Sequence, residues 1–577
     1  MSQPEATAAS PGASPPRPGG GRGDEIVTRP PDKIEAWSRV VLTHALWVGV
    51  GASALALQFT RVFRGLYLSE AMDLAQLGRH LAMGQGYVSS FLRPVVVALY
   101  QRVPAPEVVH PPLYPFLLGV VFGVLPETDA VVAGVSAFFF MATVALMYLL
   151  GSRMFGRTAG VLGAVLFAVS LSALGYAVSG LQVTLWAFLF TLVVYLLYIN
   201  PGSLRRSLAA GAVLGLCWLT EHMTIALIVP ALLAAYYMQP RRRLAHLAWF
   251  ALGLVVVMAP WWVRNYRVTG DPFFTLDNYQ LVMFTGSHPG HELFRTTDAS
   301  ALNLPSLVAG SLRSMARKEI LGLASVYQVI PTLIGLYVVA FLVVAMFRRL
   351  EVPRANLARR LVFVALAFMV VIGALYNATT DNFFVLMPLL ITLCAGYFFF
   401  VVREWISSRG GQAAAALLFV ALSAYPAVVS WAFPQPKTVS SQANLDYLER
   451  VLPADAVVVS DAPWAVAWYA RRAAVWLPLR PEDFDAVQQS IGVDAIFFST
   501  LLQTYPQSEG ALMWQAMYAR RAAPPGFTVT ATLPPGEILM RRTAPAPGPG
   551  ASPGNERPGR RGASQSGSRP EGTPKSP

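Results

Sequence analysis

Eleven apolar segments begin near Val40, Asp129, Thr158, Gly180, Ser207, His222, Leu244, Gly322, Arg360, Phe383 and Gln412. Each runs for about twenty residues, enough to cross the hydrocarbon core of a bilayer as a helix. This pattern constrains the fold more than any other feature, because a chain inside lipid must satisfy its backbone polar groups internally and helices do so segment by segment. The composition agrees. Hydrophobic residues make up 55% of the 577 and charged residues only 13%, with a mean hydropathy of +0.49, outside the range of ordinary soluble domains. The predicted fold class is a polytopic α-helical membrane protein with about 11 transmembrane helices and a small C-terminal α/β domain.

The net charge of +13 does not point to nucleic acid. The arginines cluster in "RRSL", "PRRRL" and "FRRLEVPRANLARR" between apolar runs, where topology signals sit. The stretch "LYPFLLGVVFGVL", residues 113–125, is too short to span and suits a re-entrant or interfacial helix. If it does not cross and the N-terminus is cytoplasmic, Arg153 with Arg157, Arg205 with Arg206, Arg241 to Arg243, Arg348 to Arg360, and Arg403 with Arg409 all fall inside, as the positive-inside rule requires. The opposite face then receives the first outer loop (61–128), turns near Ser179 and Glu221, the loop from Arg264 to about Glu319, and everything after Pro434. Function is expected there. Residues 1–36 and 544–577, poor in large apolar residues, read as disordered tails, and residues 40–60 as a retained span, not a cleaved signal. Cys217 and Cys394 lie far apart in apolar segments and imply neither a disulfide nor a thiolate metal site.

After the spanning region of residues 37–436, residues 437–543 read as a soluble α/β domain. "LDYLERVL", "PWAVAWYARR" and "PEDFDAVQQSI" have helical spacing, and "AVVVSD", "AAVWLPL" and "DAIFFST" read as strands. The alternation predicts a parallel or mixed sheet. It contains no GxGxxG or P-loop spacing, which argues for a cap or recognition domain.

The outer loops hold the candidate chemistry. On a helix from Ser69 to Met83, Glu70, Asp73, Gln76 and His80 share one face and Ala71, Leu74, Gly78 and Leu81 another, so the helix is expected to lie on the membrane surface and to end at Gly84 and Gly86. The plain alternative is that the carboxylates only solvate its outer face. In "EVVHPPLYPFLL" the prolines hold an extended segment that presents His110, with Tyr114 close behind. In "MAPWWVRNYRVTGDPFF", Arg264, Asn265 and Arg267 follow paired tryptophans at the interface. An arginine there can anchor the helix in the headgroup layer or grip a lipid phosphate with its planar fork.

A carboxylate shortly after the first span, the helix ending on Ala82, Gly84, Gly86 and Tyr87, then "HPPLYP" and then "PWWVRNY...GDPFF", in this order, resemble the C-type (GT-C) glycosyltransferase superfold. The likeness is to the branch of protein O-mannosyltransferases and the lipid A aminoarabinose transferase. It covers about residues 38–435, and "SDAPWAVAWYARRAAVWLPL" is similar to the C-terminal domain of some bacterial members. The resemblance implies an inverting transfer of a sugar from a polyprenyl-phosphate donor to an acceptor hydroxyl at the outer face of the bacterial inner (plasma) membrane. The acceptor would be a glycan, lipid or protein. Glu70 falls where the family usually has aspartate, and Ala71 at the next position, often glutamate. The base is therefore Glu70 or, alternatively, Asp73, with His110, Tyr114, Arg264, Asn265 and Arg267 on the donor phosphate and sugar. Ser179 and Gln182 stand where several relatives carry an acid, which leaves a metal site poorly supported: the reading is no cofactor, with a divalent metal as the open alternative. The competing readings are a transporter or flippase of lipid-linked saccharides and a catalytically inactive family member. No internal repeat of the kind common in transporters is visible, and the large outer loop with its carboxylates favours chemistry.

Overall fold

A computed structural model describes residues 33–199, 201–239, 241–326, 328–350, 352–376, 380–434, 441–504 and 512–543. Residues 1–32 and 544–577 of the predicted tails lie outside these. All eleven apolar segments fall on helices, beginning with Lys33–Arg61. Among the described residues five helices are long and apolar enough to cross a membrane: Asp129–Phe155, Arg243–Thr269, Pro353–Leu375, Thr380–Trp405 and Arg409–Ala432. Two bent pairs would bring the number to seven. Arg157–Ala168 and Leu171–Ala177 meet at 65°, where Ser170 is extended, and Leu304–Ile334 meets Leu336–Phe347 at 114°. Gly335, at φ 87°, makes that second corner with a backbone that L side chains rarely adopt. Where a straight span was predicted from Gly322, the chain therefore turns. Val183–Ile199, Leu204–Trp218 and Ile225–Tyr237 have 17, 15 and 13 residues, short of the usual span.

Small residues let the helices approach closely. A Cβ on Gly211 would stand 1.9 Å from the Phe250 carbonyl oxygen, and one on Gly253 2.2 Å from that of Leu208, so Leu204–Trp218 and Arg243–Thr269 touch backbone to backbone. Apolar side chains such as Leu417, Leu418 and Tyr425 remain exposed along Arg409–Ala432, the surface a bilayer would cover. The arginine clusters gather at one end. Arg348 pairs with Glu404 at 3.0 Å, and Arg354 donates to the Leu197 carbonyl at 3.2 Å.

The loop helix Ser69–Ala82 ends as predicted, with Gly84 and Gly86 at φ 71° and 85°. Its polar face is not solvated. Asp73, Gln76 and His80 are buried, because this face seats the chain that follows: Gln76 bonds Ser89 and the Ser90 amide, and His80 reaches Ser90 at 2.8 Å. The other face packs on Leu113–Phe122, a ten-residue helix as short as predicted. The close contact runs through Gly78, where a Cβ would meet that of Leu118 at 2.6 Å, and Gly119, where it would meet that of Leu81 at 2.9 Å.

The strands are β1 (Val88–Ser89), β2 (Phe91–Leu92), β3 (Ala105–Pro106), β4 (Val457–Ser460), β5 (Ala473–Trp476), β6 (Ala495–Phe498), β7 (Phe527–Leu533) and β8 (Glu537–Arg542). The last five and β2 form one mixed sheet in the order β2-β5-β4-β6-β8-β7, parallel from β2 to β6 and antiparallel at β8 and β7. The predicted strands at β4, β5 and β6 are present, and the β7–β8 hairpin completes one edge. The other edge is completed from the loop of residues 61–128, with Phe91 opposite Ala474 and Leu92 opposite Val475. Further contacts fasten the C-terminal part to that loop. Arg79 donates to the carbonyls of Trp468 and Ala467 at 2.8 and 2.5 Å with its guanidinium over the Trp468 ring, and Asp129 accepts from Trp468 and Tyr469.

Candidate active site

A cavity of about 470 Å³ opens where the loop of residues 61–128, the turns after two short helices, the loop following Thr269 and the C-terminal sheet meet. Its size is that of a small-ligand site. Burying Ala71, Leu74 and Gly78 on one side of the loop helix turns Glu70 and Asp73 toward this cavity, and Glu107 shapes the facing segment by accepting from the amides of Val109 and His110 at 2.6 and 2.9 Å. That turn presents His110 and Pro111 to the cavity.

Asp73, only 1% exposed, accepts from Gln76 at 2.9 Å, from His110 Nε2 at 2.9 Å and from Arg93 at 3.2 Å. Burial alone would raise its pKa, but His110 and then Arg93 outweigh that and hold the carboxyl below its ordinary range. Burial also disfavours a charged imidazole, yet Asp73 raises His110 to about 9. Asp73 is thus an ionised anchor for two cations.

Glu70 is placed differently. The Gln182 amide nitrogen donates to Glu70 at 2.6 Å and to Glu221 at 2.8 Å, bridging the two carboxyls. Burial raises the pKa of Glu70, opposed by His110 and Gln182 and assisted by Asp381 and Asp277. Burial and then the charges of Glu70 and Asp277 push Glu221 up to about 8. Two carboxyls on one amide do not both ionise readily, so this pair holds a proton near neutrality. Asp277, bonded by Gln280 and 3.6 Å from His222, and Asp381, bonded by the Tyr176 hydroxyl, complete the acidic side. Phe91, Phe284, His291, Phe294, Trp464 and Trp476 form an aromatic side. Among the described residues, no group of three or more His, Cys, Asp or Glu side chains is arranged to hold a metal ion.

Of the residues singled out from the sequence, Glu70, Asp73 and His110 come together here. Tyr114 does not line the cavity. It is fully buried, bonded to Ser136 at 2.9 Å, because the helix it begins turns that side into the protein. Arg264 lies behind the His110 turn, over Trp261 at 4.7 Å and Tyr87 at 5.6 Å, and Tyr87 donates to the carbonyls of His110 and Pro111. Asn265 is buried on the Phe274 carbonyl, and Arg267 is exposed. Neither lines the cavity. The sequence reading missed Arg93, Glu221, Asp277, Asp381 and the two tryptophans. One signal was available: Glu221 is the single carboxylate between Asp129 and Asp271, and an ionisable side chain set among apolar spans is rarely idle.

Residues 109–263 match the sequence profile of the dolichyl-phosphate-mannose-protein mannosyltransferase family. No curated protein matches the chain in sequence. Among solved structures, ArnT from Cupriavidus metallidurans bound to undecaprenyl phosphate is similar at 12% identity, over 88% of this chain and 99% of that one, with a TM-score of 0.52. The oligosaccharyltransferase of Archaeoglobus fulgidus tethered to an acceptor peptide is similar at 13% identity, over 87% and 74%, with a TM-score of 0.50. The likeness shows that the chain has the C-type glycosyltransferase fold of a multi-pass membrane protein.

Proposed function

We propose that this chain is an inverting glycosyltransferase that moves a sugar from a polyprenyl-phosphate donor to an acceptor hydroxyl, with Glu70 as general base. The reading rests chiefly on one observation: Glu70, held by Gln182 and elevated in pKa, faces the same cavity as Asp73 and His110. A base acts best when its pKa lies near the working pH. Asp73, committed to Arg93 and His110, is a poor proton acceptor and becomes the anchor that keeps His110 cationic. The bridged pair holds one proton near neutral pH, which leaves one carboxylate of the pair to accept a second.

In the step itself, the acceptor oxygen attacks the anomeric carbon from the face opposite the phosphate while its proton passes to Glu70. The bond from that carbon to the phosphate oxygen breaks, and the electron pair leaves with the polyprenyl phosphate. A base placed in this way typically contributes about 10²- to 10⁴-fold. His110 favours the phosphate side by charge, and Arg264 reaches the lipid headgroup layer behind the His110 turn. The ligands of the two similar structures, undecaprenyl phosphate on ArnT and an acceptor peptide on the oligosaccharyltransferase, support a lipid-linked donor and leave the acceptor class open.

The site belongs on the periplasmic or extracellular face, in an eleven-helix topology with a cytoplasmic N-terminus. Helix Val183–Ile199 supports this orientation, since Gln182 precedes its start in the site and its Leu197 carbonyl meets Arg354 of the basic end. Incubating the protein in nanodiscs with radiolabelled undecaprenyl-phosphate hexoses and a crude envelope acceptor fraction tests the function. Transfer by the wild type that falls at least 100-fold in Glu70→Gln, with donor binding retained, is the expected result. Lipid translocation in proteoliposomes without any glycosyl product would establish the flippase reading instead.

A further inference from the structure

The aromatic side of the cavity has no part in the proton chemistry, yet three separate chain segments build it. Phe91 comes from β2, Phe294 from the loop after Thr269, and Trp464 and Trp476 from the C-terminal sheet region. Trp464 and Trp476 stand edge to face at 6.2 Å, and each meets Phe91 at 6.0 Å. Among the described residues neither indole N–H has a hydrogen-bond acceptor, although tryptophan at a buried site usually finds one. The same cavity is lined by the carboxyls of Glu70, Glu221, Asp277 and Asp381. Few ligand classes suit both sides. An acyl chain offers nothing to four carboxyls, and the two cations of the lining, His110 and Arg93, both sit on Asp73, so a second anion beside the donor phosphate would be repelled by the four carboxyls. A neutral saccharide ring fits: its hydroxyls donate to the carboxyls, its oxygens accept from an indole N–H after a small shift, and its C–H face lies on the aromatic rings.

We propose that Trp464 and Trp476 form the acceptor subsite, and that the acceptor is a neutral saccharide. This rests on the glycosyltransferase reading and assigns its acceptor class. The side matters as well: a polyprenyl chain must lie along the spanning helices, so the wall supplied by the soluble C-terminal part faces whatever arrives from the water.

Saturation-transfer difference NMR on the full-length protein in nanodiscs tests this with methyl α-mannopyranoside, methyl β-glucopyranoside and, as the anionic comparison, methyl β-glucuronide. The ring protons of at least one neutral glycoside should saturate, and the glucuronide several-fold less. Trp464→Ala and Trp476→Ala should each lower the signal at least fivefold. Trp464→Phe and Trp476→Phe, which keep one aromatic ring but remove the N–H and part of the indole surface, should lower it about twofold, so the test survives if the alanine variants misfold. No saturation of any neutral glycoside, a signal unchanged by all four variants, or stronger binding of the glucuronide would overturn the proposal. Binding of acetyl-threonine amide in place of the glycosides would also overturn it, in favour of a peptide acceptor. Thermal stabilisation by undecaprenyl phosphate, measured alongside, separates the two claims. If it occurs without glycoside binding, only the acceptor assignment falls; if it is absent, the donor reading falls with it.

Discussion

Glu70 and Asp73 lie three residues apart on one helix, and their neutral isosteres should have opposite consequences. Asp73→Asn leaves His110 and Arg93 without their shared anion, each contact being a charge-assisted bond of about 1.5 to 3 kcal/mol. Removing one member of a buried ion pair typically costs about 3 to 5 kcal/mol. The His110 pKa offers a second route to the magnitude. Its rise from 6.5 to about 9, at 1.36 kcal/mol per pH unit, corresponds to roughly 3 kcal/mol of stability. Because the folded pKa is the higher one, that contribution is complete below pH 6.5 and is lost as pH rises through 9. Glu70→Gln, in contrast, removes a carboxyl whose pKa burial raises and keeps an oxygen for Gln182, so stability should not fall and should rise toward high pH. Denaturant unfolding of the protein in detergent, followed by tryptophan fluorescence at pH 6 and pH 9.5, measures both. Asp73→Asn should be less stable by about 3 to 5 kcal/mol at pH 6 with the gap narrowing at pH 9.5, while Glu70→Gln is at least as stable as the wild type at both pH values and is inactive. Wild-type stability of Asp73→Asn at pH 6, or an equal loss in both variants, would refute the division into anchor and base.

The Glu221 carboxyl, raised from 4.5 to about 8, withdraws stability as pH rises through that interval, so Glu221→Gln should match the wild type near pH 4.5 and exceed it at pH 9 in the same unfolding assay. Arg79→Ala removes two bonds to the C-terminal part and the contact with Trp468; limited proteolysis should then cleave within residues 441–543 at least fivefold faster while the helical region stays intact. Arg264→Ala should raise the apparent donor KM about tenfold, in line with one charge-assisted phosphate contact of about 1.5 kcal/mol, and unchanged kinetics would leave Arg264 an interface anchor. Reporter fusions at Arg242 and Asp461 should read opposite sides of the membrane, and a same-side result would reject the topology.

The membrane class and the positions of the helices were legible because hydropathy is a local property: a run such as Gly180 to Ile199 excludes water wherever it packs. The basic end was legible for a similar reason, since Arg205, Arg242 and Arg354 act through their own charge. The strands at β4 to β6 declared themselves by short apolar runs between helices, and Gly84 and Gly86 declared the end of the loop helix by their backbone freedom. What the helical spacing of Glu70, Asp73, Gln76 and His80 could not reveal was the neighbour of that face. A polar stripe satisfied by water and one satisfied by Ser89, Arg93 and His110 have the same period. The partners His110 and Arg93 separate Asp73 from Glu70, and Arg93 is placed by Phe91 and Leu92 joining a sheet whose next strand lies some 380 residues further along the chain. The same long-range pairing brings Trp464 and Trp476 to the cavity, and the packing of four separate segments brings Gln182, Glu221, Asp277 and Asp381 to Glu70. Sequence distance carries no information about such contacts, because they follow from where the apolar surfaces close and not from any local pattern.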